Sequence, residues 1–181
     1  MATVTFKGKS CSLCGTELNV GDAAPQVNLV NSKGMTDKAV GGSNENTQLI
    51  VVVPSLDTEV CASETRRFNK EASGIEGIEV VVVSMDLPFA ATRFCSTEGI
   101  ESLTVTSDFV SKAFANAYGV LIADGPLVGL ACRAIFVVNK DGKITYKEIV
   151  SELTDEPDYE AAIAGAKDAA SAGASCCGTC Q

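Results

Sequence analysis

The residues with the richest chemistry in this chain of 181 are its eight cysteines, and no histidine accompanies them. The missing histidine excludes Ser-His-Asp and Cys-His catalysis, an imidazole base and any His-ligated metal. A reactive thiol must find its activation elsewhere. Cys61 is placed to do so, at the start of a helix expected to follow the first buried strand. Open α/β sheets put their sites at such strand ends. The unpaired N–H groups and positive dipole end of the helix favour a thiolate there. A free cysteine ionises at about pH 8.5, and a helix N-terminus or a cation lowers that by one to several units. Thr58 shares the first turn, so its hydroxyl can reach the sulfur. Pro54 closes the strand, cannot donate a hydrogen bond and shapes an apolar wall nearby. The bland alternative is a small hydrophobe in a helix, which most buried cysteines are.

The elements that must position these residues read as one α/β domain. Thr3–Phe6 and Ser12-Leu13, about a turn at Gly8-Lys9-Ser10, predict an N-terminal hairpin. A short strand at Val27–Val30 precedes a polar stretch, Asn31 to Asn46, expected to be loop. Leu49–Val53 and Ile78–Val83 are continuous apolar runs, as strands buried on both faces are. The helix between them, Thr58–Ala72, makes a right-handed parallel βαβ unit. A helix from Pro88 to Glu98 follows, then a strand at Leu103–Val105. The next helix, Phe109–Tyr118, has Asp108 as its expected cap. Strands Arg133–Val138 and Lys143–Val150 flank the turn Asn139–Gly142, and a last helix runs from Pro157 to about Ala170. This order predicts a mixed central sheet with helices on both faces, the thioredoxin-like fold, over residues 1–170. Residues 171–181 read as a flexible cysteine-bearing tail.

The segment Pro54-Ser55-Leu56-Asp57-Thr58-Glu59-Val60-Cys61 resembles the P-x-x-x-T-x-x-C signature of peroxiredoxins. Gly21–Pro25 is similar to the family's G-x-x-A-P. Ser84–Ala90 with Arg93-Phe94-Cys95, Tyr118-Gly119-Val120, Ala123–Leu127, Arg133-Ala134 and Glu156–Glu160 resemble its thiol peroxidase branch, of atypical two-cysteine type. A thioredoxin would carry a second cysteine where Thr58 stands. The resemblance implies that Cys61 is the peroxidatic cysteine and Cys95 the resolving one, joined as a Cys61–Cys95 disulfide during turnover. It implies Arg133 as the cation beside the thiolate, Thr58 as holding thiolate and substrate, and Pro54 as shielding the site. Hydrogen peroxide and alkyl hydroperoxides are the implied substrates, thioredoxin the reductant and a homodimer the assembly, with the loop Ala123–Val128 and the segment after Pro54 near its interface. No cofactor is expected.

Six cysteines remain. Cys132 precedes Arg133 and should face the other side of its strand as an inert thiol. Cys11 and Cys14, and Cys176, Cys177 and Cys180, fall outside the family pattern. They admit three readings: no role, a redox relay on the tail, or a thiolate metal site. A peroxide sensor or metal-binding protein on the same scaffold is the alternative to the enzyme. The balance of charge bears on partners. Lys plus Arg is 14 and Asp plus Glu is 23, a net charge of −9 without basic runs, which argues against nucleic-acid binding. No apolar run approaches the ~18 residues of a membrane span, and no secretory signal is visible at the start. Cytoplasm is the expected compartment.

Overall fold

The structure is a computed structural model that describes residues 2–72 and 74–172. Strands β1 (Thr3–Phe6) and β2 (Lys9–Cys14) form the expected hairpin, with Phe6 opposite Lys9. Its turn is Lys7-Gly8, at φ 51° and 75°, the left-handed pair a two-residue hairpin loop needs. The turn thus falls earlier than the expected Gly8-Lys9-Ser10. Next come β3 (Val27–Asn31), β4 (Asp37–Val40) and β5 (Thr47–Val52). Helix α1 (Glu59–Glu71) leads to β6 (Ile78–Ser84), and α2 (Pro88–Glu98) to β7 (Thr104–Ser107). The described residues continue through α3 (Ala113–Ala117), β8 (Leu121–Ile122), β9 (Ala134–Val138), β10 (Ile144–Ile149) and α4 (Tyr159–Ala172).

Seven strands make the central sheet, in the order β10-β9-β5-β6-β7-β3-β4. β5, β6 and β7 are parallel, while β9 joins β5 antiparallel and β10 joins β9 through the Asn139–Gly142 turn. Every residue of β5 is buried, because its two faces serve two cores. Leu49, Val51 and Val53 pack with Phe68 of α1, Ala91 of α2 and Ala162 and Ala166 of α4. Ile50 and Val52 belong to the opposite core, with Phe114 of α3. That side is completed by a three-stranded sheet, β1-β2-β8, which contributes Val4, Cys11, Leu13 and Ile122. This is the mixed, doubly covered sheet that the residue pattern predicts.

Several expectations change. The polar stretch Asn31 to Asn46 contains β4, an edge strand half-covered by β3 and therefore without a continuous apolar run. β8 is only two residues long and pairs with Leu13 and Cys14 of β2. The helix expected over Phe109–Tyr118 is confined to Ala113–Ala117. Asp108 does cap it, but its carboxylate accepts from Phe114 N–H at 3.2 Å and Ala115 N–H at 2.9 Å, across an intervening turn. Arg133 lies just ahead of β9 instead of opening it, and α4 runs past Ala170 to Ala172. The rest of the expected tail, with Cys176, Cys177 and Cys180, lies outside the described residues.

Candidate active site

Helix α1 begins where β5 delivers the chain across the buried Pro54. Two ties shape the intervening loop. Ser55 Oγ donates to Asp86 Oδ1 at 2.7 Å, and Leu56 N–H donates to Asp86 Oδ2 at 2.7 Å. Asp86 stands just beyond β6, so the adjacent parallel strand fixes the approach to the helix. Thr58 is the N-cap, in extended conformation, and its hydroxyl accepts from Cys61 N–H at 3.3 Å. That hydroxyl also donates to the Ser55 carbonyl at 3.4 Å. The expectation placed it against the sulfur. Instead, its capping geometry holds the Cys61 backbone, since an N-cap oxygen aims at the free N–H groups of the first turn.

The sulfur's partner is Arg133. Its Nη2 donates to Cys61 Sγ at 3.4 Å and to the Leu153 carbonyl at 3.0 Å, and its Nη1 donates to Glu64 Oε2. Cys61 and Glu64 are fully buried and Arg133 nearly so, at 0%, 0% and 2% exposure. A surface salt bridge, the ordinary fate of an arginine, is thereby excluded here. Burial pulls the Arg133 guanidinium toward neutrality, but the charges of Glu64 and Cys61 outweigh it and raise its pKa. It is therefore a permanent cation beside the thiol. Burial lifts the Glu64 carboxyl from 4.5 to about 7, against the opposing pull of Arg133, with Glu148 and Glu156 adding to the rise.

Glu64 was not among the expected site residues. The sign of it was in the sequence: Cys61, Glu64, Phe68 and Ala72 follow helical spacing on one stripe. An acid on an apolar stripe requires a buried cation.

Cys95 occupies the last turn of α2, half-buried against the same apolar core as Cys61. Burial raises its thiol pKa, with its own backbone and the Ser32 side chain acting in the other direction. It lines a cavity with Ser32, Lys33, Thr92 and Ile100, which Cys61 does not reach. A separate cleft of about 200 Å³, lined by Leu56, Asp57, Asp86, Arg93 and Phe94, lies by the loop before α1. Cys61 stands at the start of α1 and Cys95 at the end of α2, and both are free thiols.

Cys132 is fully buried in the opposite core, and burial pushes its thiol up to about 12. Cys11 is buried beneath the loop at Gly125, whereas Cys14 is half-exposed beside Glu17 and Lys147. Both lie on β2, three residues apart, and so face opposite sides of the strand. Among the described residues no three Cys, Asp or Glu side chains are grouped to hold a metal ion. No described helix is long and apolar enough to cross a membrane.

A buried cysteine at a helix start, paired with arginine on a thioredoxin-like sheet, defines a thiol-based redox protein. The chain matches the family described as Redoxin over residues 19–163. It is 52% identical to the thiol peroxidase of Campylobacter jejuni over 180 residues, covering 99% of this chain and 98% of that one. It is 46% identical to the thiol peroxidase of Aquifex aeolicus, covering 92% of this chain and 97% of that one. A crystal structure of a peroxiredoxin-like protein from Aquifex aeolicus superposes with a TM-score of 0.89 at 45% identity, covering 93% of this chain and 97% of that chain. The chain belongs to the redoxin family, in the thiol peroxidase branch of the peroxiredoxins. The match to the Campylobacter jejuni relative takes in almost the whole chain, so the segment beyond Ala170 is shared with at least one member of the branch.

Proposed function

We propose that the chain reduces hydrogen peroxide and alkyl hydroperoxides through Cys61 and Cys95, with thioredoxin as the electron donor. The observation that carries this reading is the Arg133 Nη2 contact with the Cys61 sulfur, 3.4 Å long, at the start of α1. A guanidinium does not titrate at working pH, so it offsets thiolate charge and polarises a peroxide under all conditions. The Cys61 thiolate attacks one peroxide oxygen and the O–O bond breaks. Cys61 becomes a sulfenic acid, and the other oxygen takes a proton and leaves as water or an alcohol. The Cys95 thiol then displaces the sulfenic hydroxyl as water, giving a Cys61–Cys95 disulfide before a second peroxide can over-oxidise the site. Thioredoxin reopens that disulfide by exchange and is itself left oxidised. In this cycle Thr58 fixes the Cys61 backbone and Pro54 shields the sulfur. The apolar Leu56, Val60 and Leu87 suit an alkyl substituent.

A disulfide brings its two Cα atoms within about 7 Å. Cys61 opens α1 and Cys95 closes α2, so resolution requires local unwinding at the start of α1 or over Leu87–Glu98. Identical backbones in crystals of the reduced and disulfide forms would sink that step. The whole cycle is tested by two variants. Cys61→Ser should abolish peroxide consumption. Cys95→Ser should accumulate sulfenic and sulfinic acid on Cys61, detectable by mass spectrometry.

The same reading gives a homodimer in a reducing compartment, the cytoplasm. Leu87, Phe89, Phe109 and Val110 are exposed by 49%, 74%, 51% and 85%. Their segments are tied together where Ser107 Oγ donates to the Asp86 carbonyl at 2.6 Å. Val128, 60% exposed, adds the Ala123–Val128 loop to the apolar surface offered to a second copy. Phe89→Glu should shift sedimentation to the monomer; an unchanged dimer would place the interface elsewhere.

A further inference from the structure

One cation in this site serves two acids. Arg133 gives Nη1 to Glu64 and Nη2 to Cys61, and the Leu153 carbonyl accepts from Nη2 on the far side. Glu64 Oε2 takes the guanidinium bond, while Glu64 Oε1 and Arg133 Nε are buried without hydrogen-bond partners among the described residues. Arg133 is the one described donor with which the carboxylate shares its charge. It lies one helical turn beyond Cys61, on the face that carries the sulfur. We propose that Glu64 is a positioning residue for the peroxidase reaction, one that fixes the Arg133 guanidinium and sets how much of its charge the Cys61 thiolate receives. The proposal rests on Cys61 as the attacking thiolate.

The physical argument is competition inside a low-dielectric pocket. As a carboxylate, Glu64 neutralises part of the guanidinium and weakens its hold on the thiolate. As a neutral acid it still accepts from Nη1, so Arg133 stays in place, and the sulfur receives the larger share of its field. The groups that bias this choice come from every element packed against Glu64. Arg133, ahead of β9, favours the carboxylate, whereas Glu148 of β10 and Glu156, ahead of α4, favour the neutral acid. Tyr159 of α4 faces the same charges, its buried hydroxyl unpartnered among the described residues, and Arg67 of α1 lies over its ring at 4.1 Å. The carboxyl is lifted to about 7, so both of its forms are populated near neutrality.

The test uses the full chain, with Cys61→Ser as the blank. Thiolate formation is followed by absorbance at ~240 nm and by alkylation rate against pH, sulfur ionisation being what both report. Glu64→Gln keeps the acceptor for Nη1 and removes the competing charge. Its Cys61 midpoint should fall by about one pH unit, the size expected of one nearby charge. Glu64→Leu removes the acceptor, and its peroxide rate should fall roughly tenfold or more as the guanidinium loses its orientation. An unmoved midpoint in Glu64→Gln overturns the proposal, as does an undiminished rate in a folded Glu64→Leu. Should Glu64→Leu fail to fold, the Gln midpoint decides alone. Undiminished peroxide consumption by Cys61→Ser would instead refute the parent reading.

Discussion

Replacing Glu64 by glutamine should change how folding stability responds to pH. In the folded chain burial lifts this carboxyl from 4.5 to about 7, even with Arg133 pulling against it. An acid whose folded pKa is raised binds its proton more tightly when folded. Its stabilising contribution is therefore complete below about pH 4.5 and is lost as pH climbs through 7. At roughly 1.36 kcal/mol for each pH unit between those values, the loss comes to about 3 kcal/mol. Glutamine has no proton to lose and escapes it. The unfolding free energy of Glu64→Gln, relative to the parent chain, should thus improve by about 3 kcal/mol between roughly pH 4 and pH 8. Urea unfolding across a pH series, under reductant, measures this directly. Far-UV circular dichroism is the suitable probe because the chain has no tryptophan. Making both measurements in a Cys61→Ser background removes the thiol whose titration the substitution moves, and the remaining groups are common to both chains and cancel. A difference that stays flat with pH, or declines, would refute the account of Glu64 as an acid charged at a cost.

Three further outcomes follow from particular contacts. Asp86→Ala removes the acceptor of Ser55 Oγ and Leu56 N–H, and should cost about 1–3 kcal/mol while accelerating amide exchange over residues 55–58. Phe68→Ala empties a fully buried site whose ring lies 5.2 Å from that of Tyr159, so denaturation should register a loss of about 3–5 kcal/mol. Cys132, with its thiol pushed up to about 12 by burial, should resist iodoacetamide at pH 8 until denaturant is added, as peptide mass spectrometry would report.

The parts of this molecule that were legible in the sequence share a physical cause. β5 and β6 announce themselves because strands buried on both faces admit only apolar residues along most of their length. The turn Asn139–Gly142 is legible because its backbone demands those residue types. Cys61, Thr58 and Pro54 are legible as a motif, and Arg133 through resemblance to a family. What escaped is what depends on distant partners. β4 is a four-residue edge strand that takes its order from β3, and β8 gains its from β2. Asp108 looked like an ordinary cap, yet reaches across a turn whose Lys112 adopts φ 53°. The Thr58 hydroxyl meets the Cys61 N–H, three covalent bonds short of the sulfur where the motif puts it. Glu64 stood in plain view on an apolar stripe, but its meaning depended on an arginine 69 positions away.

The Leu153 carbonyl that accepts from Arg133 belongs to a residue whose own N–H donates to Thr5 in β1, at 2.8 Å. Ser151 accepts from Thr5 N–H beside it, at 2.7 Å. The thiol's cation is thereby anchored to a segment that follows it in the chain, and that segment is stitched to β1, well ahead of Cys61. During synthesis Cys61 emerges early, but its arginine follows 72 residues later and the carbonyl that steadies that arginine 20 later still. A ribosome-bound fragment therefore carries the thiol long before it can hold the ion pair beside it. Such late closure delays the reactive centre until the domain is nearly finished, so a chain abandoned midway lacks the assembled site.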